Sequence, residues 1–222
     1  MNILIFGASG MVGQGVLREC LLAPDVQSVV TIGRSAGGQQ HPKLRELVHP
    51  DLLNYSAIET DLSGFDACFF CLGVSAAGLS EADYTRITYG YTLAAAETLA
   101  RLNPQMTFTY VSGASTDSTE QGRSMWARVK GRTENALLRL PFKGAYMFRP
   151  GIIRPLHGAR SKTAAYRIVY TLLGPLLPLL QRIFPQQITT TEQIGQAMLV
   201  VARQGAPKRV LEIRDIIALT PA

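Results

Sequence analysis

Apolar residues along the chain fall into two alternating patterns. Short continuous runs read as strands buried on both faces: Asn2 to Phe6, Ser28 to Ile32, Glu46 to His49, Phe65 to Leu72, Met106 to Val111 and Ala145 to Phe148. Between them lie longer stretches with helical spacing: Val12 to Leu22, Glu81 to Leu102, Met125 to Leu140 and, later, Thr191 to Ala202. Asn103-Pro104 and Pro141 stop the second and third helices, and threonines are available to cap the fourth. Val210 to Ile213 is a candidate late strand. Strands alternating with helices predict an α/β fold, a doubly wound parallel sheet with helices on both faces.

The first run leads directly into Gly7-Ala8-Ser9-Gly10-Met11-Val12-Gly13. A buried strand, a G-x-x-G-x-x-G loop and a helix together predict a Rossmann-like nucleotide-binding unit. Glycines let the backbone turn and approach a pyrophosphate, which sits on the helix N-terminus. Gly7, Ser9, Gly10, Met11, Val12 and Gly13 are therefore candidate cofactor contacts. The second strand ends in Gly33-Arg34-Ser35, where an NAD-binding chain usually carries Asp or Glu for the ribose hydroxyl. A guanidinium can bind a 2′-phosphate bidentately. Arg34 and Ser35 thus favour NADP, with NAD as the alternative. Asp51 is the candidate adenine contact after the third strand, and Leu72-Gly73 ends the fourth strand where the backbone can approach the ribose.

The 222 residues predict one domain, with a cofactor-binding core over 1–151 and a C-terminal substrate-side elaboration over 152–222. Net charge is +6, but the basic residues are mostly scattered, so a solvated basic surface is the plainest reading and nucleic acid is not expected. Arg154, His157, Arg160, Lys162 and Arg167 form the one local concentration. Three cysteines are too few for a disulfide scaffold and fit a reducing compartment, which with a strand starting beside Met1 predicts a cytoplasmic protein. Cys68 and Cys71 have C-x-x-C spacing inside an apolar run and read as core residues. Ile168 to Leu180 is too short and too interrupted by proline to span a membrane. The wider segment Ser161 to Phe184 reads as a helical lid or a homo-oligomer contact; the alternatives are an apolar pocket wall and a helix lying on a membrane surface.

The Gly7 to Gly13 loop, Gly73, Val111-Ser112-Gly113, Lys130 and Arg149-Pro150-Gly151 follow one another in an order and spacing that resembles the short-chain dehydrogenase/reductase superfamily over about residues 1–155. Val129 to Glu134 and Phe148 to Gly151 look most like its atypical branch, which includes the nucleoside-diphosphate-sugar-epimerase-like, Tat-interacting-protein-like and NmrA-like proteins. The resemblance implies a Tyr-x-x-x-Lys pair: tyrosine as proton donor, lysine lowering its pKa and holding the nicotinamide ribose, and a serine orienting substrate oxygen. Lys130 and Ser112 match. Trp126 stands where tyrosine belongs, and an indole N–H cannot exchange a proton at neutral pH. Thr88 stands where the resemblance implies a supporting asparagine. The expectations are thus Ser112, Lys130 and Trp126 at the reaction centre and Pro150 and Gly151 on the cofactor. The function is either an NADP-dependent oxidoreductase or epimerase with an unidentified small-molecule substrate, or a non-catalytic NADP-dependent sensor or scaffold.

Overall fold

A computed structural model describes residues 1–161, 177–184 and 186–220. Most of the apolar segment singled out above, and Lys162 and Arg167 of the basic group, lie outside the described residues. Seven parallel strands form the main sheet in the order β3-β2-β1-β4-β5-β6-β9. They are β1 (Asn2–Phe6), β2 (Ser28–Gly33), β3 (Leu44–Val48), β4 (Ala67–Phe70), β5 (Thr107–Val111), β6 (Gly144–Arg149) and β9 (Val210–Glu212). A separate two-stranded parallel ladder joins β7 (Ile152–Arg154) to β8 (Ile188–Thr190).

β1 is apolar throughout because both of its faces are covered. Ile3 and Ile5 lie with Val29 and Phe69 in one core, against helix α1 (Met11–Leu22) and a late helix, Thr191–Gln204. Leu4 and Phe6 belong to the opposite core with Cys68, Phe70 and Phe108, covered by a helix carrying Ala95, Ala96 and Leu99. Phe6 stacks on Phe70 with centroids 5.1 Å apart, and Phe70 on Phe108 at 6.0 Å. Each such side chain contributes about 1.5–3 kcal/mol on burial, so this phenylalanine row anchors the middle of the sheet.

The long central helix is interrupted. Glu81–Thr85 (α2) continues through a π-helical turn, Arg86–Gly90, into α3 (Tyr91–Leu102). Ser80 caps its start by accepting the Asp83 N–H at 3.1 Å. At its end, the Asn103 side chain accepts the Gly64 and Phe65 N–H groups at 2.8 and 3.1 Å and donates to the Leu62 carbonyl. The helix therefore stops through a tertiary clamp as well as through Pro104. The remaining α-helices among the described residues are α4 (Met125–Leu138), α5 (Leu177–Ile183), α6 (Thr191–Gln204) and α7 (Ile213–Ala218).

Residues beyond 152 do more than cover one end of the sheet. Thr190 caps α6 in a reciprocal box with Gln193. α6 packs along α1, where Gln196 donates to Glu19 at 3.3 Å and Arg203 binds Asp25 at 2.6 Å. The last strand, β9, completes the sheet beside β6.

Candidate functional site

The strand order reverses between β1 and β4, so their following loops diverge and leave a crevice at the carboxyl ends of the strands. The glycine loop enters that crevice from β1. Gly7 has φ 76°, and a Cβ there would come within 2.6 Å of the Leu72 nitrogen. A Cβ on Gly13 would overlap the Gly7 carbonyl oxygen, so α1 is drawn against the loop only because residue 13 has no side chain. The α1 N-cap, Gly10, supplies no side-chain cap, and the first turn carries no acidic residue. The first-turn N–H groups therefore form an electropositive cradle suited to a pyrophosphate.

A cavity of about 750 Å³ opens over this cradle. Gly7, Ser9, Gly10, Met11 and Val12 line it from the loop, Leu72 and Gly73 from the end of β4, and Ser112, Lys130, Pro150 and Gly151 from the far side. A second cavity, about 420 Å³, shares Gly7, Ser9, Arg34 and Leu72 and continues between the ends of β2 and β3. Arg34 thus lies on both cavities, and Ser35 lines the second. Gly13 acts by packing rather than by facing either space.

Two expected residues stand elsewhere. Asp51 lines neither cavity; its carboxylate turns back to accept the Leu53 N–H at 3.0 Å, and the buried Leu52 lines the second cavity instead. Trp126 is half-buried on the first turn of α4 and is not among the described residues lining either cavity, whereas Lys130, one turn later, reaches the larger one.

Lys130 donates to the main-chain carbonyl of Ser112. Loss of water around the ammonium lowers its pKa to about 8, against a smaller opposing pull from Glu134. The Ser112 hydroxyl is bonded into the protein interior: it donates to Glu134 at 2.5 Å and lies 3.1 Å from the Phe148 carbonyl oxygen. Glu134 is buried and bound bidentately by Arg149, at 3.0 Å from Nε and 2.5 Å from Nη2. Arg149 also reaches Ser118 at 2.5 Å and Glu212 at 3.1 Å. Hydrogen bonds and charge from Glu134 outweigh the cost of burial and raise the Arg149 pKa further. This network of Ser112, Glu134 and Arg149 escaped the sequence reading, although Lys130 and Glu134 stand four apart on one helix face.

No tyrosine or histidine is among the described residues lining either cavity. Tyr84 and Tyr110 are buried in the core, and burial pushes the Tyr110 hydroxyl pKa well up. Tyr89 lies under the Arg132 guanidinium, 4.5 Å from ring centroid to Cζ, and His157 pairs with Glu192 at 2.6 Å. Thr88 sits in the π-helical turn with its hydroxyl buried and unpartnered among the described residues, while Thr92 donates to its carbonyl at 2.6 Å. Cys71 lines the larger cavity, but burial pushes its thiol up to about 12, so it is no thiolate nucleophile at neutral pH.

The profile of the NAD dependent epimerase/dehydratase family matches residues 3–124, which span β1 to the loop before α4. "Protein fmp52-2, mitochondrial" of Aspergillus oryzae is 26% identical over 220 residues, covering 97% of this chain and 95% of its own length. Among solved structures, the Bordetella bronchiseptica enzyme WbmF in complex with NAD+ superposes with TM-score 0.69 at 16% identity, covering 98% of this chain and 76% of that one. Gre2 from Candida albicans in complex with NADPH superposes with TM-score 0.71 at 11% identity, covering 96% and 77%. At these identities the two structures show the shared fold.

Proposed function

Because the chain belongs to the NAD dependent epimerase/dehydratase family, we propose that it binds NADP(H) and catalyses oxidoreduction or epimerisation of a small carbonyl or hydroxyl compound. The observation that carries this reading is one continuous lining: the glycine cradle at the start of α1, Leu72-Gly73, and Lys130 opposite them around a single cavity. The cradle fits a dinucleotide pyrophosphate, Lys130 fits a ribose hydroxyl, and Arg34 with Ser35 fits a 2′-phosphate. When bound, the nicotinamide supplies a hydride donor or acceptor. The chain's own part is to seat that cofactor, and to fix Lys130 between it and the Ser112 carbonyl.

A second reading, a cofactor-dependent sensor without turnover, is favoured by three positions. Trp126 lines neither cavity, the Ser112 hydroxyl is committed to Glu134, and Thr88 replaces the asparagine. Calorimetric titration with NADPH and NAD+, followed by absorbance assays against aldehydes, ketones and sugar nucleotides, separates the two. Binding with turnover supports the enzyme; binding without turnover across the panel supports the sensor; no binding of either dinucleotide removes both.

The cysteines described here, Cys20, Cys68 and Cys71, are free thiols. They support a reducing compartment, and we place the protein in the cytoplasm. No helix among the described residues is long and apolar enough to cross a membrane. The relative from Aspergillus oryzae is named mitochondrial, so fractionation of the native host is the deciding measurement: recovery with organelles would overturn the cytoplasmic assignment.

A further inference from the structure

We propose that Glu46 is a placeholder anion that the 2′-phosphate of NADP must displace, which makes it the residue that sets cofactor preference; this rests on the dinucleotide-binding reading above. Glu46 stands on β3 and lines the smaller cavity together with Gly33, Arg34, Ser35 and Gly37. Its carboxylate accepts the N–H of Gly37 at 2.8 Å and of Gly38 at 3.1 Å. Two successive backbone N–H groups converging on an anion form a nest, the kind of concavity that also binds phosphate oxygens. Glycine suits the nest at residue 38, whose φ of 76° lies in the left-handed region.

Two features make the carboxylate a placeholder rather than a permanent plug. Among the described residues no cation pairs with Glu46. Arg34, on the same cavity, is exposed and makes no hydrogen bond or ion pair with a described residue. A guanidinium and a carboxylate therefore line one small space without pairing with each other. A phosphate there accepts from Arg34 and from the two amides at once, and gains more charge-assisted bonds than the carboxylate holds. While Glu46 stays, it repels the same phosphate. A 2′-hydroxyl carries no charge and leaves Glu46 in place.

The test is equilibrium binding of NADP+, NAD+, 2′-AMP and 5′-AMP to the wild-type protein and to Glu46→Gln. The near-isosteric amide removes the charge and keeps the shape. NADP+ and 2′-AMP tighten about tenfold in Glu46→Gln, as loss of one opposing charge predicts, while NAD+ and 5′-AMP change less than twofold. Equal change for both pairs, or no change, overturns the proposal. So does selective weakening of NAD+, which would make Glu46 a ribose-hydroxyl ligand. In the wild-type protein, the Gly37 and Gly38 amide resonances shift on adding NADP+ and hold still on adding NAD+; amides that ignore NADP+ overturn the proposal without any variant. If the wild-type protein binds neither dinucleotide, the reading of the whole site fails, an outcome visible before Glu46 is touched.

Discussion

The hydroxyl of Ser112 lies 2.5 Å from the carboxylate of Glu134, which leaves its main-chain carbonyl as the group that meets Lys130. A serine in this position in the superfamily is expected to orient substrate. Here the side chain serves the interior. Ser112→Ala is therefore expected to lower stability by about 1–3 kcal/mol, because a buried carboxylate loses a donor. Dinucleotide affinity stays within about twofold of wild type, since the carbonyl survives. Denaturant unfolding and calorimetry on one preparation check both halves. A collapse of affinity with stability intact would return the hydroxyl to the cavity.

The buried pair behind that serine is the more fragile element. Glu134→Gln leaves the Arg149 guanidinium short of its main counter-ion, with Glu212 as the remaining carboxylate on it. Breaking one side of a buried pair costs about 3–5 kcal/mol. Arg149→Met strands Glu134 and is expected to cost as much. Changing both residues to apolar ones of similar size is expected to recover much of the loss, and a double-mutant cycle from urea unfolding measures the coupling. Additive single effects would mean that the two charges do not stabilise each other.

Lys130 gives the site a pH dependence near neutrality. Its pKa is drawn from 10.5 to about 8 by loss of water. Between those values the folded protein binds fewer protons than the unfolded chain, so this group makes stability rise with pH across that window; its unfavourable contribution is full below about 8. Cofactor binding runs the other way, since the ammonium loses its charge above about 8. NADPH affinity should fall as pH rises from 7 toward 9.5, and Lys130→Arg should flatten the curve. A wild-type profile that is flat over this range would exclude an ammonium contact.

Gly13→Ala puts a methyl group on the carbonyl of Gly7. The loop and the first turn of α1 must part, and the cradle opens. Weakening of dinucleotide binding by roughly a hundredfold or more is expected, equivalent to losing about two charge-assisted hydrogen bonds. Fluorescence titration with NADPH reads it, and circular dichroism confirms that the sheet persists. Unchanged affinity would move the pyrophosphate away from this helix.

Much of the architecture was legible because its signals are local. A strand buried on both faces needs an unbroken apolar run, and a loop that touches its own helix needs glycine, so Asn2 to Gly13 read correctly from the residues. The strands outside that pattern were harder. β7 and β8 have three residues each, too few for a period to show. The π-helical turn at Arg86–Gly90 leaves no mark on a helical spacing that resumes beyond it. In the site, an acidic residue beside an apolar one after the third strand points to an adenine contact, and it is the apolar Leu52 rather than Asp51 that lines the cavity. Glu46 carries no sequence signal beyond its place in the strand, because its partners are backbone amides, which no side-chain pattern announces. Arg149 is fifteen residues from Glu134, and only the packing of α4 against β6 brings them together.

The contact between α1 and α6 has a consequence for how the protein is made. Glu19 and Gln196 are 177 residues apart in the chain, and Asp25 and Arg203 are 178 apart. The glycine loop and α1 are synthesised well before α6, the helix that packs along α1. Until α6 arrives, the core that Val16, Leu17 and Cys20 share with Ile194, Ala197 and Met198 is incomplete. Closing so long a loop is slow, and an uncovered apolar helix face invites association in the interval. A chain cut short before Thr191 would carry every residue of the nucleotide cradle but lack the helix that packs along α1.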